Sequence, residues 1–408
     1  MLTKEEEIEF EKIFKGLAKN LDITREQHES AVKSYNYVGE WLSQTDSPLY
    51  PYVVEVRPQG SFLIGTITQA VTEDGEIDID LVCMLKRKQF SWTQADLKKI
   101  VGDRIKDHGT FKRMLRSPEG RRCWTLDYAD TAKFHMDILP CLIAGNYQVL
   151  MERKFSSLSA KDVQDISLRI TDNQMLNYYT ATDPVSWLLS NPFGYALWFF
   201  EQASLSDTKL FSLRESIRPV PQYQQNKLPL QVIVQLLKRH RDLMFDGDEH
   251  RPISIIITTL AAKAYRKQSG IVQGLIDVAG EMKRFIEERV DPSTGRRIKW
   301  VPNPVNPAEN FADKWAAFPA KEQNFYNWLS RLENDLRRTF SQRGMSSIHE
   351  SLAGAFGKRA ADRTFSDLGN DTRLLREAGG MSMAAGTGII TGLGRASILN
   401  HTNRGEDA

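Results

Sequence analysis

The segment Ile77–Cys83 constrains this chain more than any other, because it places two carboxylates on one face of an apolar strand. Its apolar residues alternate with Asp78 and Asp80, and a period of two predicts a β-strand. Side chains two positions apart on a strand point to the same face. Two carboxylates packed together repel strongly unless a cation lies between them. The segment therefore predicts a strand that carries a cation site.

A short segment upstream supplies groups suited to phosphate. Gln59-Gly60-Ser61 predicts a turn, and a Gly-Ser turn leaves backbone N–H groups and one hydroxyl free to hold phosphate oxygens. A lone Gly-Ser pair carries no information. Its position ahead of the paired aspartates makes it a candidate binding site.

A third carboxylate follows downstream. Asp137 stands beside apolar residues in a second predicted strand, 133–139, and reaches the same point as Asp78 and Asp80 if the two strands are neighbours. Three convergent carboxylates are what two magnesium ions need. One ion would lower the pKa of an attacking ribose hydroxyl, and the other would hold a triphosphate and stabilise leaving pyrophosphate. We assign Asp137 to help activate the hydroxyl.

Size and composition set the outer bounds. A chain of 408 residues predicts two domains. No run of about 18 apolar residues occurs and the N-terminus is acidic, so we expect neither a membrane span nor a secretory signal. The three cysteines lack metal-ligand spacing and predict reduced thiols in a cytoplasmic protein. A net charge of +2 gives no footprint for stable nucleic-acid binding.

The order of patterns along the chain predicts an α+β fold. Capping boxes at Thr3 and Thr24 predict a pair of helices over residues ~4–43. The strand-like segments and one helix that follow predict a mixed β-sheet core. We therefore expect a nucleotide-handling core with N-terminal helices over 1–175, a helical lobe over 176–340, and a flexible or conditionally ordered tail over 341–408, which has no Trp or Tyr and a glycine-rich segment.

The site pattern resembles the active site of the DNA polymerase β-like nucleotidyltransferase superfamily. Within it, the chain resembles the bacterial cyclic GMP–AMP synthase/DncV-like nucleotidyltransferases of anti-phage signalling systems. Beyond the aspartates and the Gly-Ser turn, three later segments carry this resemblance, which covers roughly residues 40–340: they are Ser190–Phe199, Leu228–Ala261 and Asn303–Ala312.

The resemblance implies a two-lobed enzyme with substrates in the cleft between a nucleotidyltransferase core and a helical lobe. It implies that Asp78, Asp80 and Asp137 hold Mg²⁺, for which Mn²⁺ can substitute, and that Lys238 and Ser254 grip the donor triphosphate. A lysine is a point charge suited to a terminal phosphate. Taken alone, Lys238 is more typical of a surface lysine and Ser254 of a helix cap after a proline.

Other residues of the later segments have simpler interpretations. Asn191 has an amide able to contact the edge of a base, although capping the turn before Pro192 is the favoured interpretation. The aromatic run Trp198-Phe199-Phe200 is more typical of a core than of a base-stacking platform.

The chain end allows a partner. In some relatives a flexible C-terminus ending in Gly or Ala is conjugated to targets by an E1/E2-like protein, and Ala408 permits the same here. The related motif His-Thr-Phe-Tyr-Gly is only partly kept at the chain end. A peptide-sensing regulatory partner is equally compatible with these residues.

Three other functions compete with synthesis of a cyclic di- or trinucleotide from NTPs such as ATP and GTP. A poly(A) or tRNA nucleotide-adding polymerase needs a long basic surface, which the net charge does not support. A non-catalytic nucleotide sensor would be expected to have lost an aspartate, and all three are present. Antibiotic nucleotidylation is disfavoured by the resemblance outside the active site. Base identity, ring size and linkage stay open.

Overall fold

The computed structural model describes residues 2–72, 75–128, 133–144, 167–205, 221–291 and 294–377, and three two-residue strands between 382 and 397. Most of the glycine-rich segment and all of residues 398–408 lie outside the described residues. The expectation of conjugation at Ala408 therefore falls outside them as well.

The helices lie in three groups along the chain. The first four precede or flank the early strands, and they are α1 (Lys4–Leu21), α2 (Arg25–Ser43), α3 (Gly60–Leu63) and α4 (Gln94–Asp107). The next group contains α5 (Gly109–Met114), α6 (Pro192–Ala203), α7 (Pro229–Met244), α8 (Ser254–Ala264) and α9 (Ile271–Glu281). The last group contains α10 (Pro319–Ser341), α11 (Met345–Phe356) and α12 (Lys358–Glu377).

The strands form one main sheet and several small ones. The main sheet contains β1 (Val54–Pro58), β2 (Ile77–Leu85), β3 (Trp124–Tyr128), β4 (Phe134–Ile143), β5 (Leu168–Ile170) and β6 (Leu188–Ser190). Two hairpins follow, formed by β7 (Glu287–Val290) with β8 (Arg297–Trp300) and by β9 (Pro302–Asn303) with β10 (Asn306–Asn310). The last strands are β11 (Ser382–Met383), β12 (Ile390–Thr391) and β13 (Ala396–Ser397).

The main sheet is mixed, as predicted. Its order is β1-β2-β4-β5-β6, with β3 also paired to β4. Strands β2 and β4 run parallel, and every other pair in the sheet is antiparallel. The predicted N-terminal helix pair is confirmed, and both capping boxes form, at Thr3 with Glu6 and at Thr24 with Gln27.

The two faces of the sheet are covered by different layers. Odd-numbered residues of β2, from Ile77 to Leu85, pack with α2, α4 and α5 in one core. On the opposite face, Val82 and Met84 join a second core that contains the buried residues of α6 to α9. Asp78 and Asp80 share this second face but precede the part that the helices cover. The carboxylates therefore lie where the sheet emerges from beneath the helical lobe.

The structure moves two of the expected domain boundaries. Helix α1 packs with α9, α7 and α12, and its Phe10, Phe14 and Leu17 are buried in the core that these helices share, so it belongs to the helical lobe and not to the nucleotidyltransferase core. The sheet also continues past residue 175, because β6 pairs with β5 through Leu188–Ser190. Both differences arise because strand pairing and helix packing join segments far apart in sequence.

The expected flexible tail from residue 341 is wrong for its first part. Helices α11 and α12 follow α10 directly, and Ile348, Leu352 and Phe356 are buried in the second core. Phe356 contacts Phe14 of α1 edge-on, with ring centroids 5.9 Å apart. Ordinary amphipathic spacing drives this packing without any Trp or Tyr.

In the part of the chain that the structure describes, no helix is long and apolar enough to cross a bilayer. All three cysteines are free; Cys83 and Cys141 are buried and Cys123 is half-buried.

Candidate active site

The three aspartates meet across one strand pair. In the parallel β2–β4 ladder, Asp80 lies opposite Asp137 and Asp78 lies opposite His135. Because alternate residues of a strand share a face, the three carboxylates are on the same face of the sheet. The sequence expectation that Asp137 lies on a strand next to the Asp78–Asp80 strand is confirmed.

The electrostatics of Asp80 show how closely these charges are placed. Burial, and then the negative charges of Asp137 and Asp78, raise the pKa of Asp80 to about 7. Lys238 partly offsets this effect. A pKa this high means that the cations of the protein do not neutralise the negative charge of Asp80, as expected for like charges that share a site.

His135 is a site residue that the sequence reasoning missed. Its Nε2 bonds the Asp78 carboxylate, and its Nδ1 lies 3.3 Å from Glu76 Oε2. The hydrogen bond to Asp78 raises the pKa of His135 to about 9. Partial burial would raise the pKa of Asp78, but the bond and charge of His135 outweigh it and lower that pKa. The available signal was position: residue 135 shares the strand face of Asp137.

The carboxylates are adjacent but do not form a closed ligand set. Thr125 Oγ1 donates a 2.5 Å hydrogen bond to Asp137 Oδ1, and His135 holds Asp78. Among the described residues, no group of three or more His, Cys, Asp or Glu side chains is arranged to hold a metal ion. The metal assignment of the three aspartates therefore stays a proposal.

The predicted Gly-Ser turn lies directly against Asp80. Gln59 donates its backbone N–H to the Asp80 carbonyl at 2.8 Å, and Gly60 then begins α3 with a φ of +59°. A Cβ on Gly60 would lie 2.6 Å from Asp80 Oδ2. Glycine is required twice here, by the left-handed backbone and by the close approach. Ser61 follows in the first turn of α3, where helix N–H groups have no partner within the helix.

Helix α7 holds the segment that follows this turn. Gln231 Nε2 donates to the Ile64 carbonyl at 2.8 Å, and Gln235 Nε2 donates to the Ile67 carbonyl at 2.7 Å. Lys238 Nζ donates to the Thr66 carbonyl at 3.0 Å. These polar side chains follow the 3.6-residue period of the helix and fix the loop by its own backbone. The sequence signal for Gln231 and Gln235, polar residues on an otherwise buried helix, was missed.

The two residues expected to grip phosphate lie near each other on α7 and α8. Burial, and then the positive charge of Arg241, lower the pKa of Lys238 to about 8. Ser254 is the first residue of α8, and its Oγ accepts a 3.1 Å hydrogen bond from Arg241 Nη2. Arg241 is thus a buried cation beside both predicted residues, and the sequence reasoning did not assign it a role.

A cleft of about 1630 Å³ connects these groups. Asp137 lies beside this cleft on β4. All the other predicted site residues line it: they are Gln59, Gly60, Ser61, Asp78, Asp80, Lys238 and Ser254. Asn191 lines the cleft and also caps α6, accepting from the Gly194 N–H at 2.8 Å. The cap interpretation is confirmed, as is the core interpretation of Phe199 and Phe200, which are fully buried.

Comparison with known proteins agrees with this arrangement. Residues 54–140 match the family described as cyclic GMP-AMP synthase DncV-like, nucleotidyltransferase domain. The chain is 27% identical to a c-di-GMP synthase of Roseivirga ehrenbergii, over 88% of this chain and 86% of that protein. It is 25% identical to the cyclic dinucleotide synthase CdnG of Bradyrhizobium diazoefficiens, over 96% and 93% of the two chains.

Solved structures show the same fold. The Bradyrhizobium diazoefficiens CD-NTase CdnG in complex with GTP has a TM-score of 0.65 at 21% identity, over 88% of this chain and 99% of that one. An Escherichia coli CdnC:HORMA-deltaN complex has a TM-score of 0.54 at 12% identity, over 83% and 94%. Vibrio cholerae DncV with the linear intermediate pppA(3′,5′)pG has a TM-score of 0.52 at 16% identity, over 89% and 93%.

Fold and site together define a nucleotidyltransferase. Within that class, the chain is similar to the cyclic dinucleotide synthases named above, of which the Bradyrhizobium diazoefficiens CdnG is a CD-NTase. The resemblance drawn from the site motif and the three later segments is confirmed.

Proposed function

We propose that this protein joins two NTPs into a cyclic dinucleotide and releases two pyrophosphates. The relatives named as cyclic dinucleotide synthases support this function. The observation that carries it is the β2–β4 register, which sets Asp80 opposite Asp137 beside the Gly60 turn. In each of the two steps a ribose hydroxyl oxygen bonds to an α-phosphorus, the bond from that phosphorus to pyrophosphate breaks, and the hydroxyl proton leaves.

The donor set fits magnesium. Asp78, Asp80 and Asp137 offer the carboxylate oxygens that Mg²⁺ prefers. The raised pKa of Asp80 supports a cation that binds between these carboxylates. When bound, the metal would supply charge neutralisation at the triphosphate and a lowered pKa at the attacking hydroxyl. Mn²⁺ offers similar chemistry.

The other site residues have roles that follow from their positions. Asp137 takes up the proton of the attacking hydroxyl. Ser61 and the N–H groups of the Gly60 turn hold phosphate oxygens of the donor nucleotide, as does Lys238, whose bond to the Thr66 carbonyl keeps it beside that turn. Ser254 adds a hydroxyl to the lining of the same cleft.

We further propose that the product is a second messenger in bacterial anti-phage defence and is made in the cytoplasm. The HORMA complex of the structural neighbour CdnC supports a protein partner that controls the activity, and an E1/E2-like partner at the chain end is a second form of this proposal. Neither form requires stable nucleic-acid binding.

The deciding experiment compares the wild type with the double variant Asp78→Ala, Asp80→Ala. Both are incubated with all four NTPs and Mg²⁺ or Mn²⁺, and phosphatase-resistant products are identified by mass spectrometry. We expect a cyclic dinucleotide from the wild type and none from the variant, because the metal-binding carboxylates are lost.

Asp103→Ala serves as the matched control, since Asp103 of α4 is partly exposed and pairs with exposed Lys99. It should keep full turnover. Mg²⁺ should raise the melting temperature of the wild type and of this control but not of the double variant. Wild-type turnover in the double variant would refute the site, and a linear or polymeric product from the wild type would refute the function.

A further inference from the structure

A pair of arginines on the cleft wall is held by one buried carboxylate. The Asp172 side chain is 0% exposed, and it accepts from Arg121 Nε at 2.7 Å and from Arg122 Nε at 2.8 Å. Its position is fixed from both sides, because the Asp172 N–H donates to Gln94 Oε1 at 2.9 Å and the Gln174 N–H donates to Asp172 Oδ1 at 3.0 Å. The two guanidinium groups are thus pre-oriented.

Their remaining donors have no partner among the described residues and can bind a ligand. Both bonds to Asp172 use Nε, and within the described residues the Nη groups of Arg121 and Arg122 have no hydrogen-bond partner. Both arginines line the cleft, with side chains 34% and 46% exposed. An arginine that is fixed at Nε and open at Nη presents a planar pair of donors, which suits a planar pair of acceptors.

A fixed acceptor lies near these donors. Glu309 of β10 lines the same cleft, and its Oε2 accepts from Asn303 Nδ2 at 2.7 Å. Burial holds the pKa of Glu309 above its usual value, although the Asn303 bond and the charge of Arg122 partly offset this. In the described part of the chain Glu309 forms no ion pair, and its Oε1 has no hydrogen-bond partner. The cleft therefore presents an arginine fork and a carboxylate within electrostatic reach of each other.

The distance between Arg122 and Asp137 suits the base of a nucleotide whose ribose lies at Asp137. Arg122 is three residues before Thr125, which bonds Asp137, and three residues span at most about 10 Å. A nucleotide whose ribose hydroxyl lies at Asp137 has its base or its triphosphate at this range. Glu309 disfavours a triphosphate there, because a carboxylate repels it.

We propose that Arg122 and Glu309 bind the base of the nucleotide that supplies the attacking hydroxyl, and that they select guanine. Guanine offers O6 and N7 as acceptors to an arginine fork, and its N1–H and 2-amino groups donate to a carboxylate. Adenine presents a donor toward the arginine and an acceptor toward the carboxylate, so both contacts become unfavourable. Asp172 and Arg121 are positioning residues for Arg122. This inference rests on the proposed function.

The test measures base preference by binding. Non-hydrolysable GTP, ITP and ATP analogues are titrated by equilibrium dialysis against the full chain and against Arg122→Lys and Glu309→Gln. ITP lacks the 2-amino group, so Glu309 should discriminate GTP from ITP in the wild type. We expect the preference for the GTP analogue over the ATP analogue to fall about 10- to 100-fold in each variant. The preference for GTP over ITP should disappear in Glu309→Gln alone.

Glu288→Gln, an exposed carboxylate paired with Lys299 on the β7–β8 hairpin, is the control and should leave every preference unchanged. Arg122→Lys keeps a positive charge for buried Asp172, and melting curves exclude a folding defect. Unchanged preferences in both variants would overturn the proposal. An equal loss for all analogues would also overturn it, because that result identifies a phosphate contact.

The binding readout separates this inference from the proposed function. If the wild type selects guanine through these residues but makes no cyclic product, the base contacts hold and the proposed function fails. If a cyclic dinucleotide forms while the base preference does not depend on Arg122 and Glu309, the function holds and this inference fails.

Discussion

At the scale of single residues, the contact between Gly60 and Asp80 joins phosphate binding to the carboxylate site. The two residues come from different segments, a turn and a strand, and no side chain separates them. Any atom added at Gly60 therefore moves either the turn or the carboxylate. Few positions in this chain couple backbone conformation to the proposed chemistry so directly.

Gly60→Ala tests this coupling. The new Cβ would lie 2.6 Å from Asp80 Oδ2 and would hold a φ of +59°, which L-residues rarely adopt. We expect kcat/KM for NTPs to fall about 10- to 100-fold, which is about 1.4–2.8 kcal/mol, and a steady-state pyrophosphate assay measures it. Gly280→Ala in α9, where a Cβ meets nothing within 4 Å, should keep full activity. Equal effects of the two changes would contradict the argument.

Glu9 is a residue whose charge opposes folding. It is 5% exposed on α1, and among the described residues neither carboxylate oxygen has a hydrogen-bond partner. Burial raises the pKa of Glu9 to about 7 from its usual 4.5, although Lys12 partly offsets this. The unfolded chain therefore loses this proton before the folded chain does. Stability contributed by the neutral form is lost as the pH rises from about 4.5 through about 7.

Glu9→Gln should remove this pH dependence. Relative to the wild type, the free energy of unfolding of the variant should increase by roughly 1–3 kcal/mol between pH 4.5 and pH 7.5. Urea unfolding at several pH values measures the difference. Glu29→Gln on α2, an exposed residue near Arg25, is the control and should show little change. If the difference in the free energy of unfolding between the wild type and Glu9→Gln does not change with pH, the raised pKa of Glu9 is contradicted.

At the scale of elements, helix α7 connects the two lobes through polar bonds. Its buried face carries Gln231, Gln235 and Lys238, and each donates to a carbonyl of residues 64–67. A buried carbonyl without a partner costs free energy, so these bonds stabilise the loop in one conformation. The helix thus sets the position of the Gly60 turn relative to the cleft wall.

Gln235→Leu tests the connection. The change keeps the side-chain size but leaves the Ile67 carbonyl and Asp22 Oδ1 without the donor they now share. We expect the free energy of unfolding to fall by about 1–3 kcal/mol and the KM for NTPs to rise, because the loop loses its support. Urea unfolding and steady-state kinetics measure the two effects.

Gln273→Ala is the control, since Gln273 of α9 is exposed and its side chain hydrogen-bonds only Asp277 among the described residues. It should change neither quantity. If Gln235→Leu lowers stability without any effect on KM, the loop does not depend on α7 for its working position.

At the scale of the whole molecule, the helices after residue 344 close the core around α1. Phe356 contacts Phe14, Thr364 lies against Gly16, and Arg343 pairs with Glu6 at 2.8 Å. The chain thereby places its first helix between later ones. A chain that ends before α11 exposes to water the part of the apolar face of α1 that packs against α11 and α12.

A chain ending at Arg343 should therefore be strongly destabilised. Loss of the buried side chains Ile348, Leu352 and Phe356 removes roughly 1.5–3 kcal/mol each, so we expect aggregation or a melting temperature lower by more than about 10 °C. Differential scanning calorimetry measures the change. Glu350→Ala, an exposed position on α11, should leave the melting temperature unaltered. If the truncated chain has the melting temperature of the full chain, this segment does not stabilise the core and is a tail.

Much of the fold follows from local patterns in the sequence. The alternation around Asp78 and Asp80 fixes the direction of both side chains, because successive residues of a strand point to opposite faces. The capping boxes at Thr3 and Thr24 start their helices through bonds made within four residues. These features are predictable because the atoms that produce them are close together in the chain.

The remainder depends on contacts between distant segments. No local pattern shows that the helical lobe covers Val82 and Met84 but leaves Asp80 open, that His135 bonds Asp78, or that α7 supports residues 64–67. The helices beyond residue 344 looked like a tail because their own sequence lacks Trp and Tyr, yet they fold against α1. Which face of a strand a side chain occupies follows from the bonds between neighbouring residues. Whether that face is buried depends on which other element packs against it, and the free energy of the whole core decides that packing.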